Sequence, residues 1–516
     1  MPATAEVEGP EPAGDRLAVA ARVAMAAGVL ARLWCFATQG TRSLVRDEVA
    51  VGINLFDMGP IELATRPLGQ DQAAPVVFLW IEDALATLSG YDERALRLLP
   101  LAASIAALPL AHRFARDVFG PLAGLIAVAL MAFSEPLIAY GVQLKPYSSD
   151  VLAALLFLNA ARWALKGGET PRRCAAVGAL GSVLVWASFP VVFVIGGVGL
   201  ALIAGAFARG DRAAGARWIV SMAACAGSFL AGYALIFRHY ATSAYLLEWW
   251  RFAFAPLPPR SAEDFRWYAT NLGRMFEQEL GIRHWYAAAL LWALGIAATA
   301  RGAFGPGGRT AAAMLLAPVA LNLAASAIHK YPFNERTMLY AAPLTATLTA
   351  AGAARLLTTP RTSARLAGVA ALAVALAHPI RVQAEYARNP EARALEDVRP
   401  TLAFLAEKGR PEDPIYVHWD AVAYYDFYVV RLKYLGLDRR TAIVSPRLPP
   451  RSVEEAAALY EEDVRPLREH RRVGVLLGFA LPRDHRILLG ILDRHGRRTD
   501  GIRASLGAAY FYDLAP

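Results

Sequence analysis

Apolar residues in this chain gather in blocks. They run over Leu17–Ala37, Ala95–Ala111, Pro121–Tyr140, Val151–Leu165, Ala175–Phe189, Val191–Phe207, Trp218–Phe237, Trp285–Ala300, Ala311–Ile328, Met338–Leu357 and Leu366–Pro379. A helix rises about 1.5 Å per residue, so roughly 20 apolar residues cross a hydrocarbon core. The blocks therefore predict an α-helical polytopic membrane protein with about eleven transmembrane helices. The two blocks around Phe189-Pro190 are short and have no polar loop between them, which fits either one Pro-kinked helix or a tight pair of crossings. After Pro379 the pattern becomes that of a soluble α/β domain, with a helical stretch over Glu391–Glu407 and short apolar runs at Pro414–Trp419, Val473–Phe479 and Ala508–Leu514. The expected plan is a disordered tail over 1–16, a transmembrane domain over 17–383 with a first outer loop over 38–94, and a small C-terminal α/β domain over 384–516. Within that loop, Val49–Asp57 reads as an amphipathic interfacial helix. Val76–Leu88, interrupted by Glu82 and Asp83, is too short to span and reads as interfacial or re-entrant.

Composition agrees with the blocks: of 516 residues, 56% are apolar and 19% charged, below the roughly one quarter charged of soluble domains. The net charge of +9 does not point to nucleic acid, because its cations sit in alternate loops. Arg113 and Arg116, then Arg162, Lys166, Arg172 and Arg173, then Arg209, Arg212 and Arg217, then Arg301 and Arg309, then Arg355, Arg361 and Arg365 mark the cytoplasmic side. The intervening loops, 38–74, 141–150, 238–284 and 329–336, balance acids and bases and are read as outer. The N-terminus is then cytoplasmic, the C-terminal domain lies outside, and the location is a bacterial inner membrane. This alternation holds only if the Phe189-Pro190 region makes two crossings. Cys35, Cys174 and Cys225 lie in or beside apolar blocks with no metal-type or disulfide-type spacing. The first residues carry no basic segment of a cleaved signal.

Among motifs that carry chemistry, the sequence shows no phosphate-binding loop, no dinucleotide-binding glycine turn, no HExxH and no serine nucleophile elbow. Gly196, Gly197 and Gly199 read as small residues that let helices approach. The outer loops are richer. Arg46-Asp47-Glu48 opens the first amphipathic helix, where the acids either cap the helix or, in Asp47, supply a general base. Gln72 stands before the short helix. Lys145-Pro146-Tyr147, with Asp150, and Lys330-Tyr331-Pro332-Phe333, with Arg336, lie at the outer ends of spans. Cations and a carboxylate on one face suit a lipid-linked phosphate and a sugar hydroxyl.

In the order and shared side of Asp47-Glu48, Gln72 to Pro75, Phe78-Leu79-Trp80, Gly90 to Arg97, Lys145 to Asp150 and Lys330 to Arg336, the chain resembles the polyprenyl-phosphate-sugar glycosyltransferases of the GT-C fold. That branch includes protein O-mannosyltransferases, aminoarabinose transferases and lipopolysaccharide-core transferases. The resemblance implies transfer of a sugar from an outward-facing polyprenyl phosphate to an acceptor hydroxyl with inversion, and no nucleotide. It gives Asp47 the role of base, with Glu48 as a second catalytic residue that orients the partners, Lys145, Lys330 and Arg336 that of phosphate partners, and Arg46, Gln72, Tyr147, Asp150 and Tyr331 positioning or donor-binding roles. The implied partners are the lipid-linked donor, a glycan, lipid or protein acceptor, and membrane lipids. No cofactor is required by the sequence, and a divalent metal is left open. A transporter or lipid flippase is the alternative, although charges at span ends and the lack of an inverted repeat suit it less. His418-Trp419-Asp420 is similar to the Trp-Trp-Asp motif of oligosaccharyltransferases, but one Trp and the following Tyr-Gly are absent, and it reads as coincidence.

Overall fold

The computed structural model describes residues 12–393, 396–445, 452–478, 482–505 and 507–514. The chain forms two compact units. One comprises Met1–Thr38, Pro60–Leu85 and Leu96–Pro390, and the other comprises Gln39–Gly59, Ala86–Ala95 and Glu391–Pro516. Much of the first outer loop thus belongs with the C-terminal residues. Of the tail expected over 1–16, residues 1–11 lie outside the described residues and the remainder begins the first helix.

The first unit is a helical bundle. Each of the eleven apolar blocks falls on helix, including Pro12–Gln39, Leu98–Phe119, Tyr147–Lys166, Val191–Ala208, Pro306–Ala327, Ala342–Leu357 and Thr362–Arg388. Among the described residues, six helices are long and apolar enough to cross a membrane, or up to eight if each of two bent pairs is one span. The expected number of about eleven is not confirmed by that criterion. Ala342–Leu357 shows why length and hydropathy undercount here: it follows a 3-10 turn at Glu335–Ala341, is short, and is buried over almost its whole length. Around Phe189-Pro190 there are two separate helices, Pro171–Ala187 and Val191–Ala208.

Small residues set the helix contacts. A Cβ on Gly197 would lie 2.4 Å from the Pro318 nitrogen, and one on Gly352 would lie 1.8 Å from the Leu291 carbonyl oxygen. Only glycine admits backbones this close. At the bend of 62° between Pro121–Ala132 and Glu135–Val142, carbonyls lose their helical partners, and Arg32 of the first helix answers them. Its guanidinium donates to Ala132 and Met131 at 3.2 Å and to Gly28 at 3.0 Å, while Nε donates to Ser104 at 2.7 Å. A buried arginine within an apolar helix is costly unless so paired. Ser134 caps the second half of the bend through the Leu137 amide.

The second unit is built on a five-stranded mixed sheet. Its strands are β1 (Ile415–Val417), β2 (Ala442–Val444), β3 (Arg472–Leu477), β4 (Gly496–Arg503) and β5 (Ala508–Leu514), in the order β2-β1-β3-β5-β4. β1 is parallel to both β2 and β3, and β5 is antiparallel to β3 and β4. β1, β3 and β5 coincide with the three apolar runs and are buried. β2 and β4 are largely exposed edges: β2 is apolar but only three residues long, and β4 is mostly polar. The helix Arg46–Asp57 buries Val49 to Leu55 and packs on the segment near Phe427, since a Cβ on Gly52 would lie 2.9 Å from that ring. Nearby, Glu93 accepts from Tyr428 at 3.1 Å and pairs with Arg399 at 3.3 Å, and Arg431 forks onto Asp57 at 2.6 and 2.9 Å.

Candidate active site

In the helical unit the predicted residues meet at the start of the helix Tyr147–Lys166. Pro146 sets its entry, so Lys145 stands just outside the first turn, while Tyr147 and Asp150 lie within it. Lys145 is only 5% exposed and its Nζ donates to Gln72 Oε1 at 2.6 Å. This is not a lysine snorkelling into solvent. Gln72 is presented by a turn in which Gln70 and Asp71 both take positive φ, and its Nε2 donates to the Gln70 carbonyl at 3.2 Å. Asp150 is buried and its Oδ1 has no hydrogen-bond partner among the described residues. Tyr147 stacks edge-on against Tyr140 at 5.0 Å.

The second predicted group borders the first. Tyr331 packs edge-on against Phe193 at 5.2 Å. Its hydroxyl is pushed well above the usual phenol value by burial, and then by the charges of Asp150, Tyr340 and Tyr147, so Tyr331 stays a neutral donor beside Asp150. Arg336, on the turn Glu335–Ala341, places its guanidinium 5.6 Å from the Trp250 ring centre. Lys330 is exposed. The structure therefore joins Gln72 to Lys145 and groups Tyr147, Asp150 and Tyr331, while Arg336 sits on an aromatic platform that the sequence did not suggest.

At the opposite end of Tyr147–Lys166 lies a cavity of about 550 Å³ lined by Arg113, Arg116, Asp117, Asn159, Trp163, Lys166, Gly167 and Arg173. Lys166 pairs with Asp117 at 2.9 Å, and Arg173 lies over Trp163 at 5.0 Å. A helix of 20 residues is about 30 Å long, close to the thickness of a hydrocarbon core. Its two ends thus carry different chemistry: arginines and lysine at one, a buried lysine and carboxylate at the other.

In the second unit, Arg46, Asp47 and Glu48 form the first turn of their helix. Glu48 is buried and its Oε2 accepts the Val45 N–H at 2.8 Å, so Glu48 closes the helix N-terminus. Asp47, half-buried, stands beside that closure. Arg46 lies 5.8 Å from the Trp419 ring centre. A third carboxylate, which the sequence did not single out, joins this turn: Glu396 accepts the Arg46 N–H at 3.2 Å and a hydrogen bond from the Tyr424 hydroxyl. Burial raises the Glu396 carboxyl above its ordinary value, and the charges of Asp47 and Glu48 add to the rise, against the Arg46 amide that lowers it. Glu396 follows a stretch of ordinary polar sequence, and only the folded chain brings it to Asp47.

No family model matches the chain, and no curated protein does. Solved structures do match. The structure of ArnT from Cupriavidus metallidurans bound to undecaprenyl phosphate has a TM-score of 0.52 at 12% identity, covering 93% of this chain and 96% of that one. Its apo state gives 0.53 at 12% identity, with 97% and 98% covered. The apo oligosaccharyltransferase of Archaeoglobus fulgidus gives 0.51 at 10% identity, with 94% and 74% covered. The chain has the GT-C fold of these membrane proteins.

Proposed function

We propose that this protein is a membrane glycosyltransferase that moves a sugar from an outward-facing polyprenyl-phosphate donor to an acceptor hydroxyl with inversion. The observation that carries the reading is the buried Lys145 held by Gln72 at 2.6 Å. It lies at a helix end, in a fold that in ArnT accompanies bound undecaprenyl phosphate. A cation kept dry in this way interacts far more strongly with a phosphate than an exposed one does.

In this reaction the acceptor oxygen attacks the anomeric carbon from the face opposite the phosphate. The C1–O bond to the phosphate breaks, its electron pair leaves with the phosphate, and the acceptor proton passes to Asp47. Lys145, Lys330 and Arg336 take up the charge that develops on the leaving group. Arg46, Gln72, Tyr147, Asp150 and Tyr331 position the partners, and Glu48 holds the helix turn that carries Asp47. The acceptor is a glycan, lipid or protein, and the location is a bacterial inner membrane with the N-terminus cytoplasmic.

Photo-crosslinking of the purified protein to a polyprenyl-phosphate analogue, together with mass spectrometry of envelope lipids and glycans from cells with and without the gene, tests the proposal. Crosslinking that weakens in Lys145→Ala, and loss of one sugar from an envelope molecule, are expected. No crosslink above background, or an unchanged envelope together with donor flux in proteoliposomes, would overturn it in favour of transport.

A further inference from the structure

His418-Trp419-Asp420, read as coincidence in the sequence, becomes a built cluster once the sheet forms. His418 directly follows β1, and Gly478 directly follows the parallel neighbour β3. From β1 the chain crosses to β2 on one side, whereas from β3 it continues to β4 and β5 on the other. The carboxyl ends of β1 and β3 are therefore the point where the connections diverge, which in open α/β sheets is where ligands bind.

Three side chains converge there. His418 Nδ1 lies 2.5 Å from Asp420 Oδ1, and His485 Nε2, from the helix Pro482–His495, lies 3.0 Å from Asp420 Oδ2. The donor atoms of the three residues all fall within 4.8 Å of one another. The Gly478 amide donates to Asp420 Oδ1 at 2.9 Å, and a Cβ on Gly478 would come within 2.6 Å of the Asp420 carbonyl oxygen, so glycine is required for this approach. His418 and Asp420 are buried, while the His485 side chain is 19% exposed and leaves an entry path. Asp484, next to His485, is buried with Oδ1 held by Arg483 and Oδ2 without a hydrogen-bond partner among the described residues.

We propose that His418 Nδ1, the Asp420 carboxylate and His485 Nε2 bind a divalent transition-metal ion of the zinc type. Two imidazoles and a carboxylate are a donor set suited to such an ion, with a fourth position left over. Bonds of about 2.0–2.2 Å place tetrahedral ligand atoms roughly 3.3 Å apart, so the shortest contact need open by only about 0.8 Å. The surroundings also supply the orienting partner that a metal-bound imidazole uses. His418 Nε2 lies 2.9 Å from the Tyr460 hydroxyl, whose oxygen accepts from Trp419 Nε1 at 3.1 Å. Without metal, the ring proton sits on Nδ1 facing Asp420 and Nε2 accepts from Tyr460. With metal, the proton moves to Nε2, which donates to Tyr460, and the Nδ1 lone pair is released. The ion would tie the end of β1 to the helix after β3, and through Trp419 it adjoins Arg46 on the turn that carries Asp47.

Full-length protein in detergent, stripped with a chelator and titrated with cobalt(II), tests this. The wild type should take up one more equivalent than His485→Ala, with visible d–d absorption that excess chelator removes. His485→Ala and Asp420→Asn should bind at least about 10²-fold more weakly, and Tyr460→Phe, which keeps the ligands and loses their orienting partner, about 10-fold more weakly. A wild type that takes up no cobalt(II), or binding identical in the wild type and a folded His485→Ala, overturns the proposal. The wild-type arm decides by itself if a variant fails to fold.

Discussion

At the residue scale the structure separates two carboxylates that the sequence leaves equivalent. Glu48 is buried on the Val45 amide, which assigns it the helix cap, so a capping requirement no longer explains the presence of Asp47. If Asp47 takes the acceptor proton, the nearly isosteric Asp47→Asn should lower turnover by about 10²-fold or more while leaving donor crosslinking unchanged. Wild-type transfer by the folded variant, measured with a verified donor and acceptor, would sink that role. Glu396 offers a test with a different readout. Its raised carboxyl keeps its proton to higher pH in the folded chain than in the unfolded one. As pH rises from the unfolded value through the folded one, the folded state holds more protons, and its stability falls. Glu396→Gln removes that fall. The melting temperature of the variant minus that of wild type should therefore grow from about pH 4 towards neutrality and then level off. A difference that stays flat or shrinks would show that Glu396 is an ordinary carboxylate. The placement of Lys145, Asp150 and Asp47 was legible in the sequence because each stands next to a span end or a helix start. Glu396, Arg32 and the Trp250 platform under Arg336 were not, because each gains its meaning from a partner far away in the chain.

At the scale of elements, each apolar block located a helix of the membrane unit, since block length and helix length answer to the same hydrocarbon thickness, while the amphipathic 19-residue helix Ala262–Leu280 was read as part of a loop. They missed the bend after Ala132, where the signal is one Ser-Glu-Pro step inside a continuous apolar run and the compensating residue, Arg32, lies about 100 residues earlier. β2 was missed because its apolar run is only three residues long, and β4 because an edge strand exposed on both faces shows no apolar alternation. Helix spacing is the most testable property at this scale. The helices Trp285–Ala300 and Ala342–Leu357 approach so closely that a Cβ on Gly352 meets the Leu291 carbonyl oxygen. Gly352→Val should then cost about 1–3 kcal/mol or more through forced separation, seen as a lower melting temperature in detergent. Gly227, also within a helix, has nothing within 4 Å of an added Cβ, so Gly227→Ala should be neutral or slightly stabilising. Equal effects of the two would mean that the close crossing does not limit stability.

At the scale of the whole molecule, charge placement makes a prediction that the fold alone does not. Arg113, Arg116, Lys166 and Arg173 gather round the cavity at one end of the helix Tyr147–Lys166, and Lys145 and Asp150 occupy the other end. In the proposed orientation, the positive-inside rule puts the arginine-rich end in the cytoplasm and Lys145 and Asp150 towards the outer side. The same rule makes an expectation for the last helix, Thr362–Arg388, whose 27 residues span about 40 Å, enough to cross with some tilt. Its start follows Arg355 and Arg361, and its end leads to the sheet-bearing residues. Reporter fusions at Arg361 and Pro400 should therefore read cytoplasmic and extracytoplasmic respectively. Reversed readings would invert the orientation and bring Lys145 to the cytoplasmic leaflet, where an outward-facing lipid donor is out of reach. Readings on the same side would mean that Thr362–Arg388 does not cross, and the sheet would then share a compartment with the arginine-lined cavity. Reversed readings would remove the outward-facing donor from the proposed reaction, whereas neither result would affect the cobalt(II) titration, because the ligands of that site all belong to the second unit.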